Sequence, residues 1–253
     1  MNFSQLAEKV DQAAFNAQAI QQLSVAHQFN VDESYEIQAL SIERRYARGE
    51  HLIGLKMGFT SEAKMQQMGV HDMIWGRLTD DMFYENGGEV SFDKFIHPRA
   101  EPEICFLIKD KIDRELSIAE AKNHTEAVAA AIEMIDSRYE NFKFSLEDVI
   151  ADNCSSAGVI IGPWHKHNMP INSLKMVLEI DGVPVQIGSS SAILGDPWAA
   201  LAAATRLAAK YKQEIPAGSF ILAGAATPAV YLKKGQAVKA IVEHLGVVEF
   251  GTV

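Results

Sequence analysis

The sequence predicts an α+β protein in which helices come first and strands dominate afterwards. From Ser4 to Leu23, apolar residues recur at three- and four-residue steps, which is the spacing of an amphipathic helix. In the second half, β-rich stretches flank Asp181-Gly182, the two-residue turn chemistry of a type I′ hairpin. A chain of 253 residues can bury a large core. We therefore expect a helical N-terminal segment over residues 1–50 and one strand-rich main domain over residues 51–253.

The N-terminal segment is predicted to hold two helices. The first covers the periodic stretch from Ser4 to Leu23, and the second follows Asp32 and stops near Gly49, where acidic start and glycine stop signals lie. Both helices are expected to pack on the outside of the main domain.

The main domain begins with a predicted strand from Leu52 to Met57. A helix is predicted after Thr60-Ser61, ending at Gly69, and the stretch from Gly76 to Gly88 is rich in loop-forming residues. We interpret this loop-rich stretch as a candidate lid.

The middle of the chain is predicted to continue with a strand, a helix and a second strand. Glu103 to Ile108 is an apolar run of strand length. Ser117 and Glu120 have the spacing of a capping box, which predicts a helix that continues to about Ala131. Ile132 to Ile135 is then predicted to be a strand.

The second half is dominated by strands. The hairpin strands are predicted over Leu174–Ile180 and Val183–Ile187. Asp196-Pro197 places a cap and a first-turn proline before an alanine-rich helix from Trp198 to Lys212. Further strands are predicted over Ser219–Leu222 and Ala237–His244.

Composition excludes several classes of protein. The formal net charge of −10 would repel a phosphate backbone, and no basic stripe with interleaved aromatic residues occurs. No apolar run approaches the ~20 residues that cross a bilayer, and the N-terminus does not resemble a secretion signal. We expect a soluble cytoplasmic protein that binds neither nucleic acid nor membrane. Cys105 and Cys154 lack CxxC spacing, so reduced structural thiols are expected.

Glu101-Pro102-Glu103 places two acids at the start of a predicted strand. Residues i and i+2 of a strand point to the same face, so these carboxylates can converge. Two close carboxylates repel unless one is protonated or a cation lies between them, and Mg²⁺ is the natural cation for oxygen ligands. The alternative interpretation is a solvated acidic strand edge.

Glu133 is an acid inside the apolar run from Ala130 to Ile135. A carboxylate in such a position is expected to be paired or to bind a metal. The alternative to a metal ligand is a buried salt bridge with Arg99 or Arg138. Three acids without an accompanying histidine favour an oxygen-only site for a hard metal over a zinc site.

Lys56 is the only charge in the short stretch Gly54-Leu55-Lys56-Met57-Gly58. Such a lysine can bind a carboxylate, or lose its proton if burial lowers its pKa, and the alternative is a lysine whose head reaches water at a strand end. The stretch from Asp152 to Gly158 is typical of a turn entering a strand. No P-loop, Rossmann fingerprint, nucleophile elbow or His-Glu-x-x-His motif is present.

Taken together, the segments from about Gly54 to the C-terminus resemble the fumarylacetoacetate hydrolase superfamily. The similarity is to its branch of 2-keto-4-pentenoate hydratases and 4-oxalocrotonate decarboxylases. The segments that carry it are Gly54-Leu55-Lys56-Met57-Gly58-Phe59-Thr60-Ser61, His97-Pro98-Arg99-Ala100-Glu101-Pro102-Glu103, Glu133-Met134-Ile135-Asp136-Ser137-Arg138, Ala151-Asp152-Asn153-Cys154-Ser155-Ser156 and Leu222-Ala223-Gly224-Ala225-Ala226-Thr227.

The resemblance implies a mixed β-sheet roll with peripheral helices, which would be the catalytic domain over residues 51–253. It implies Mg²⁺, or alternatively Mn²⁺, held by the three acids, and a homo-oligomer. The metal ligands would be Glu101, Glu103 and Glu133. The catalytic residues would be Lys56, Asp136, Asn153 and Ser155. The substrate would contact Leu78, Asp81, Arg138 and Thr227.

Within the branch, the stretch from Asp136 to Phe144 resembles the decarboxylases, because hydratases carry an aliphatic residue and a tryptophan after Asp-Ser-Arg. Gly224-Ala225-Ala226-Thr227-Pro228 departs from the Gly-Gly-Ile-Thr type of the decarboxylases. The implied reaction is decarboxylation of 4-oxalocrotonate, a small 2-keto dicarboxylic acid, to 2-hydroxypenta-2,4-dienoate in the meta-cleavage degradation of aromatic compounds. The alternatives are a hydratase of that dienoate and a structural subunit complexed with a pathway hydratase.

Overall fold

The structure is a computed structural model that describes residues 2–61, 65 and 72–253. The helix predicted between Thr60-Ser61 and Gly69 therefore lies largely outside the described residues. Within them, no helix combines the length and the apolar character that crossing a membrane requires.

Five described helices are α1 (Phe3–Phe15), α2 (Val31–Ala47), α3 (Ile118–Asn123), α4 (Leu146–Ala151) and α5 (Pro197–Lys210). The prediction that the first helix reaches Leu23 is wrong. The helix ends at Phe15 because Ala17 takes a left-handed conformation (φ 49°). The chain then extends, and the Ile20 N–H donates to Arg138 O at 2.9 Å.

The N-terminal helices are fixed to each other and to the core. Arg48, the C-cap residue of α2, makes a bidentate ion pair with Asp11 of α1, with both N–O distances at 2.7 Å. On the inner side of α2, Gln38 Nε2 donates to Trp75 O at 3.1 Å and to Ile150 O at 2.9 Å. Because α2 supplies these buried contacts, it forms part of the main core rather than a detached layer.

Fourteen described strands follow in chain order: β1 (Leu52–Gly58), β2 (Ile74–Thr79), β3 (Phe83–Tyr84), β4 (Glu89–Val90), β5 (Arg99–Ile108), β6 (Thr125–Ile135), β7 (Ser156–Ile161), β8 (His165–Lys166), β9 (Lys175–Ile180), β10 (Val183–Ser189), β11 (Phe220–Ala225), β12 (Val230–Tyr231), β13 (Ala237–Val242) and β14 (Gly246–Thr252). Nine of them form a mixed sheet in the order β2-β1-β11-β5-β6-β7-β3, with β12 beside β5 and β8 beside β6. The other five form a sheet in the order β10-β9-β13-β14-β4.

The larger sheet curls into a roll, and side chains of the turn before β7 link that turn to the edge strand β2. Asn153, in the turn before β7, accepts from the Arg77 N–H at 2.7 Å and donates to Arg77 O at 2.8 Å. The amide of Asn153 thus pairs with the backbone of β2 as a neighbouring strand would. Gly76 permits this approach, because a Cβ there would lie 2.5 Å from Asn153 O.

Two predictions between Gly76 and Ala131 are wrong: the lid over Gly76–Gly88 and the length of the helix that begins after Ser117. The proposed lid over Gly76–Gly88 contains most of β2, which is buried along its whole length. The helix opened by Ser117 and Glu120 does form, with both capping-box hydrogen bonds, but it ends at Asn123. The alanine-rich stretch after it is the central strand β6, where small side chains suit a position packed on both faces.

The second half matches its predictions closely. Asp181 and Gly182 have φ angles of 52° and 75°, as a type I′ turn requires, and β9 pairs with β10 around them. Asp196 caps α5 by accepting from the Trp198 N–H at 3.1 Å. The α+β class and the rolled mixed sheet with peripheral helices are confirmed.

The interior of the roll is a small apolar core at one end and a polar site at the other. Its core residues are Leu78, Met82, Cys105, Ala129, Ala131, Val159, Ile161 and Leu222. Side chains alternate between faces along a strand, so Glu103 lies on the same face of β5 as Cys105, and Glu133 on the same face of β6 as Ala131. The sequence alternation of these strands therefore directs two carboxylates into the roll.

Candidate active site

Three buried carboxylates meet inside the roll. Glu101 and Glu103 alternate along β5, and Glu101 pairs in register with Glu133 on the neighbouring strand β6. Their side chains offer ligand atoms that all lie within 4.8 Å of one another. Glu103 and Glu133 are fully buried, and Glu101 nearly so. The i, i+2 prediction for Glu101 and Glu103 and the presence of Glu133 beside them both agree with this geometry.

Several carboxylate oxygens of this cluster are buried without a hydrogen bond from the described residues. Glu103 Oε2 accepts from the Gly224 N–H at 2.7 Å. Glu103 Oε1 and Glu133 Oε2 have no hydrogen-bond partner among the described residues, and Glu133 Oε1 has the ion pair with Lys56 Nζ at 3.0 Å. Burial, reinforced by neighbouring carboxylates, raises the pKa of Glu103 well above its ordinary value, and burial raises the pKa of Glu133 to about 7. A cation between the carboxylates would offset their mutual repulsion and their loss of hydration. An oxygen-only donor set fits a hard divalent ion such as Mg²⁺.

Lys56 approaches the acids from β1, across the interior of the roll. Its Nζ lies 3.0 Å from Glu133 Oε1 and donates to Cys154 O at 3.2 Å. Burial would lower the pKa of Lys56, but the Glu133 carboxylate and its neighbours outweigh burial and raise that pKa above its ordinary value. The structure therefore favours a charged ammonium over a neutral base, and the side chain does not reach solvent. The partner of Glu133 is Lys56 rather than Arg99 or Arg138.

Gly224 of β11 completes the support of Glu103. Its φ is +102°, and a Cβ at this position would lie 2.0 Å from Thr60 Oγ1. Glycine is required here because any side chain would displace Thr60. The close approach presents the Gly224 N–H to Glu103.

A left-handed turn forms another wall of the site. Asn153, Cys154 and Ser155 have consecutive φ angles of 48°, 52° and 58°. Non-glycine residues in this region are strained, and such strain clusters at functional sites. The Asn153 bridge to β2 holds the turn, and the Ser155 hydroxyl is left buried without a hydrogen-bond partner among the described residues.

A cavity of about 430 Å³ lies over these groups. Lys56, Glu101 and Ser155 line its polar side, and Phe59, Phe142 and Phe144 contribute to its apolar walls. The volume and the mixed lining suit a small organic acid. Asn153 does not line it, because its amide is used on β2, so its predicted catalytic role becomes one of positioning Ser155.

Two other predicted residues hold the backbone beneath the site. Asp136 accepts from the N–H groups of Ile96 and His97, both at 2.8 Å. The guanidinium of Arg138 is used on Asp152 and on the Asp136 carbonyl. These bonds use both side chains to hold the backbone, and neither residue lines the cavity over the acids. The catalytic role of Asp136 and the substrate contact of Arg138 stay predictions.

The remaining predicted substrate contacts lie elsewhere. Leu78 is fully buried in the inner core of the roll. Asp81 is exposed and lies 3.9 Å from Lys94, beside a different cavity. Thr227 is buried, and its Oγ1 donates to Pro228 O at 3.4 Å. None of the three is among the described residues that line the cavity over the acids.

Sequence reasoning missed Arg99 as a site residue, because it considered Arg99 only as a partner for Glu133. Arg99 lines the cavity and lies two residues before Glu101 on β5, hence on the same face. Its guanidinium carbon lies 3.7 Å from the centre of the Phe142 ring and 4.0 Å from that of Tyr231. The i, i+2 rule that joined the two acids would also have found it.

Comparison with known proteins gives a consistent result. Residues 50–253 match the fumarylacetoacetate (FAA) hydrolase C-terminal family. The chain is 51% identical over 252 residues to a 4-oxalocrotonate decarboxylase of Pseudomonas sp., covering 100% of this chain and 98% of that protein. It is 31% identical to a 2-hydroxyhexa-2,4-dienoate hydratase of Comamonas testosteroni, covering 94% and 93%.

A solved structure extends the similarity to three dimensions. The 4-oxalocrotonate decarboxylase from Pseudomonas putida G7, complexed with magnesium and adipate, superposes with a TM-score of 0.95 at 34% identity. The match covers 99% of this chain and 97% of that one.

Proposed function

The chain belongs to the fumarylacetoacetate hydrolase family, and we propose that it is a divalent-metal-dependent decarboxylase of 4-oxalocrotonate. The products are CO₂ and 2-hydroxypenta-2,4-dienoate, and the step serves the meta-cleavage degradation of aromatic compounds. One observation carries the choice within the family: identity of 51% over the full length to a decarboxylase, against 31% to a hydratase.

The metal is Mg²⁺, with Mn²⁺ as the alternative, and its ligands are Glu101, Glu103 and Glu133. The unpartnered buried oxygens of Glu103 and Glu133 and the all-oxygen donor set of the three acids support this assignment. When bound, the ion supplies a Lewis acid for the 1-carboxylate and 2-oxo group of the substrate, and a positive charge in a site that is otherwise rich in acids.

Lys56 provides the second positive charge near the acids. In the reaction the bond between C5 and the distal carboxylate breaks, CO₂ leaves, and the electron pair moves through the enone to the 2-oxo oxygen. The Lys56 ammonium donates a hydrogen bond toward that oxygen as negative charge develops there. The dienolate oxygen then takes a proton from solvent, which completes the 2-hydroxy product. Glu133 and Cys154 O hold Nζ in place for this role.

The hydroxyl of Ser155 belongs to the cavity wall and has no hydrogen-bond partner among the described residues. A buried hydroxyl without a hydrogen bond is costly, and a substrate oxygen would satisfy it. The phenyl rings of Phe59, Phe142 and Phe144 exclude water from the cavity. This strengthens the electrostatic interactions of the metal ion and the Lys56 ammonium with the substrate.

The test is to incubate the purified protein with 2-oxo-3-hexenedioate and, separately, with 2-hydroxypenta-2,4-dienoate, each with Mg²⁺ and with EDTA. Ultraviolet absorbance and CO₂ release are followed. Release of CO₂ from the diacid that requires Mg²⁺ is the expected result. Consumption of the dienoate alone would make the protein a hydratase, and inactivity toward both would refute the proposed substrate class.

Homo-oligomerisation and a complex with a pathway hydratase follow from the family resemblance, and we propose them on that basis alone. Light scattering after size exclusion, with and without such a hydratase, tests both. The presence of all three acids and Lys56 in contact geometry supports an active subunit over a purely structural one.

A further inference from the structure

Arg99 is a cation at the site that forms no ion pair with a carboxylate among the described residues. It lines the cavity over the acids, and no carboxylate of the described residues lies within ion-pair distance of it. Its Nη2 donates to the Tyr231 hydroxyl, whereas its Nε is buried without a partner among the described residues. A guanidinium offers five N–H donors, so most of its hydrogen-bonding capacity is unused. This combination is typical of a group that receives an anionic ligand.

The surroundings of Arg99 fix its position. Tyr231 of β12 pairs in register with Arg99 of β5. The Phe142 and Tyr231 rings are nearly perpendicular, at 87°, and flank the guanidinium on two sides. Aromatic rings stabilise a guanidinium and shield it from water. A carboxylate that reaches the remaining N–H edge therefore meets a half-buried cation whose orientation is already fixed by the two rings.

The spacing along β5 matches a six-carbon diacid. Arg99, Glu101 and Glu103 occupy alternate positions of one strand and face the same side. Alternate residues are roughly 6–7 Å apart along a strand. The two carboxyl carbons of an extended six-carbon diacid are separated by five carbon–carbon bonds, a span of about the same length. A diacid whose 2-keto end lies at the acids thus places its other carboxylate near Arg99.

The other described cation of the cavity lining is already engaged. Lys56 contacts Glu133 and Cys154 O, and the proposed function uses it at the 2-oxo end. We propose that Arg99 binds the distal carboxylate of the substrate, the group that leaves as CO₂, and so selects a diacid over a monoacid of equal length. This inference rests on the proposed function and assigns its specificity to one residue.

The effect belongs to binding rather than to the chemical step. The ion pair with Arg99 is strongest while the carboxylate carries its charge and weakens as neutral CO₂ forms. An interaction that is made in the ground state and weakened in the transition state lowers KM and kcat together. Replacing Arg99 should therefore raise KM for the diacid without lowering kcat.

A matched pair of stable ligands tests the assignment: 2-oxoadipate, which has the distal carboxylate, and 2-oxohexanoate, which lacks it. Their Kd values are measured by calorimetry with Mg²⁺ for the native protein and for Arg99→Gln, Arg99→Lys and Tyr231→Phe. Arg114→Gln serves as the control, because it removes an exposed arginine paired with Glu120.

In Arg99→Gln, 2-oxoadipate should bind roughly 10- to 100-fold more weakly, the value of a charge-assisted carboxylate pair, while 2-oxohexanoate is unchanged. Arg99→Lys should recover part of the loss. Tyr231→Phe should weaken only the diacid, by a few-fold. Arg114→Gln should change neither ligand.

Two results would overturn the assignment: an undiminished preference of Arg99→Gln for the diacid, or equal weakening of both ligands. Failure of the proposed function is distinguishable, because it would show as absent CO₂ release by the native protein. The binding preference is read without turnover.

Discussion

Glu103→Gln is expected to abolish the rise in Tm that Mg²⁺ causes in the native protein. A residue with only a structural role would not affect that rise. Glutamine keeps an oxygen to accept from the Gly224 N–H, now 2.7 Å from Glu103 Oε2, so the local fold should persist. The substitution removes one of three carboxylates whose ligand atoms lie within 4.8 Å of one another. The metal-free variant should therefore be more stable than the metal-free native protein, because it lacks a buried like charge.

The magnitude follows from linkage. A ligand at 100 times its Kd stabilises the native state by about 2.7 kcal/mol. For a chain of this length, 1 kcal/mol shifts Tm by about 2–4 °C, so saturating Mg²⁺ should raise Tm of the native protein by roughly 5–11 °C over EDTA. In Glu103→Gln this shift and the Mg²⁺-dependent release of CO₂ should both disappear.

The assay is thermal unfolding followed by fluorescence, with MgCl₂ titrated against an EDTA baseline. Glu126→Gln is the matched control, because Glu126 lies on the same strand as Glu133 but is exposed. It should behave as the native protein. A full Mg²⁺ shift in Glu103→Gln would refute the metal site, and so would an absent shift in the native protein at saturating Mg²⁺.

Three further predictions concern the surroundings. Asn153→Ala should lower the free energy of unfolding, measured in urea, by about 2–5 kcal/mol, because it strands the buried N–H and carbonyl of Arg77. Lys56→Met should reduce kcat/KM by at least about 100-fold, in line with loss of one oxyanion donor, and leave the Mg²⁺ shift in Tm intact. The hydrogen bond from the Ser117 N–H, with further help from its other neighbours, lowers the pKa of Glu120 from 4.5 to about 2. Its carboxylate therefore stabilises the fold above pH 4.5, a contribution lost as pH falls through about 2, and carbon NMR should show this titration.

Each of these has a contradicting result. Asn153→Asp keeps only the acceptor and should fall between the native protein and Asn153→Ala; equal stability of all three would contradict the link that this side chain makes to β2. Native turnover in Lys56→Met would remove the lysine from the mechanism. A Glu120 carboxyl that titrates near 4.5 would contradict the capping-box bonds.

The metal cluster could be partly predicted because strand alternation is a local property. The i, i+2 rule places Glu101 and Glu103 on one face wherever the strand lies, and an acid in an apolar stretch marks Glu133 as paired or metal-binding. The pairing of Glu101 with Glu133 depends on the register between β5 and β6, which no local pattern specifies.

The errors arise where tertiary burial overrides local preference. Ser117 and Glu120 correctly start a helix, but the alanines that favour its continuation serve equally well in a strand packed on both faces. Gly76 was interpreted as part of a loop, whereas its missing side chain makes room for the Asn153 turn. A glycine required for close packing and a glycine of a loop are indistinguishable in the sequence alone.

The contacts of Arg99 with Tyr231 and Phe142 could not be predicted from the sequence either, because they depend on tertiary structure. Tyr231 is far from Arg99 along the chain, and only the short pairing between β12 and β5 brings them together. Phe142 reaches the guanidinium from a turn with a left-handed backbone, φ 57°. Neither contact has a periodic signature.

The parallel pairing of β1 with β11 has a consequence for how the protein matures. Gly54 lies beside Phe220 and Lys56 beside Leu222, so the strand that separates β1 from β5 is translated long after both of them. Until it arrives, β5 has an open edge, Glu103 lacks the Gly224 N–H, and Lys56 has no fixed distance to the acids. Pairings between distant parts of a chain form slowly. The site is therefore assembled only after β11 has been translated and paired, and a nascent chain that already contains all three acids should not yet bind the metal ion.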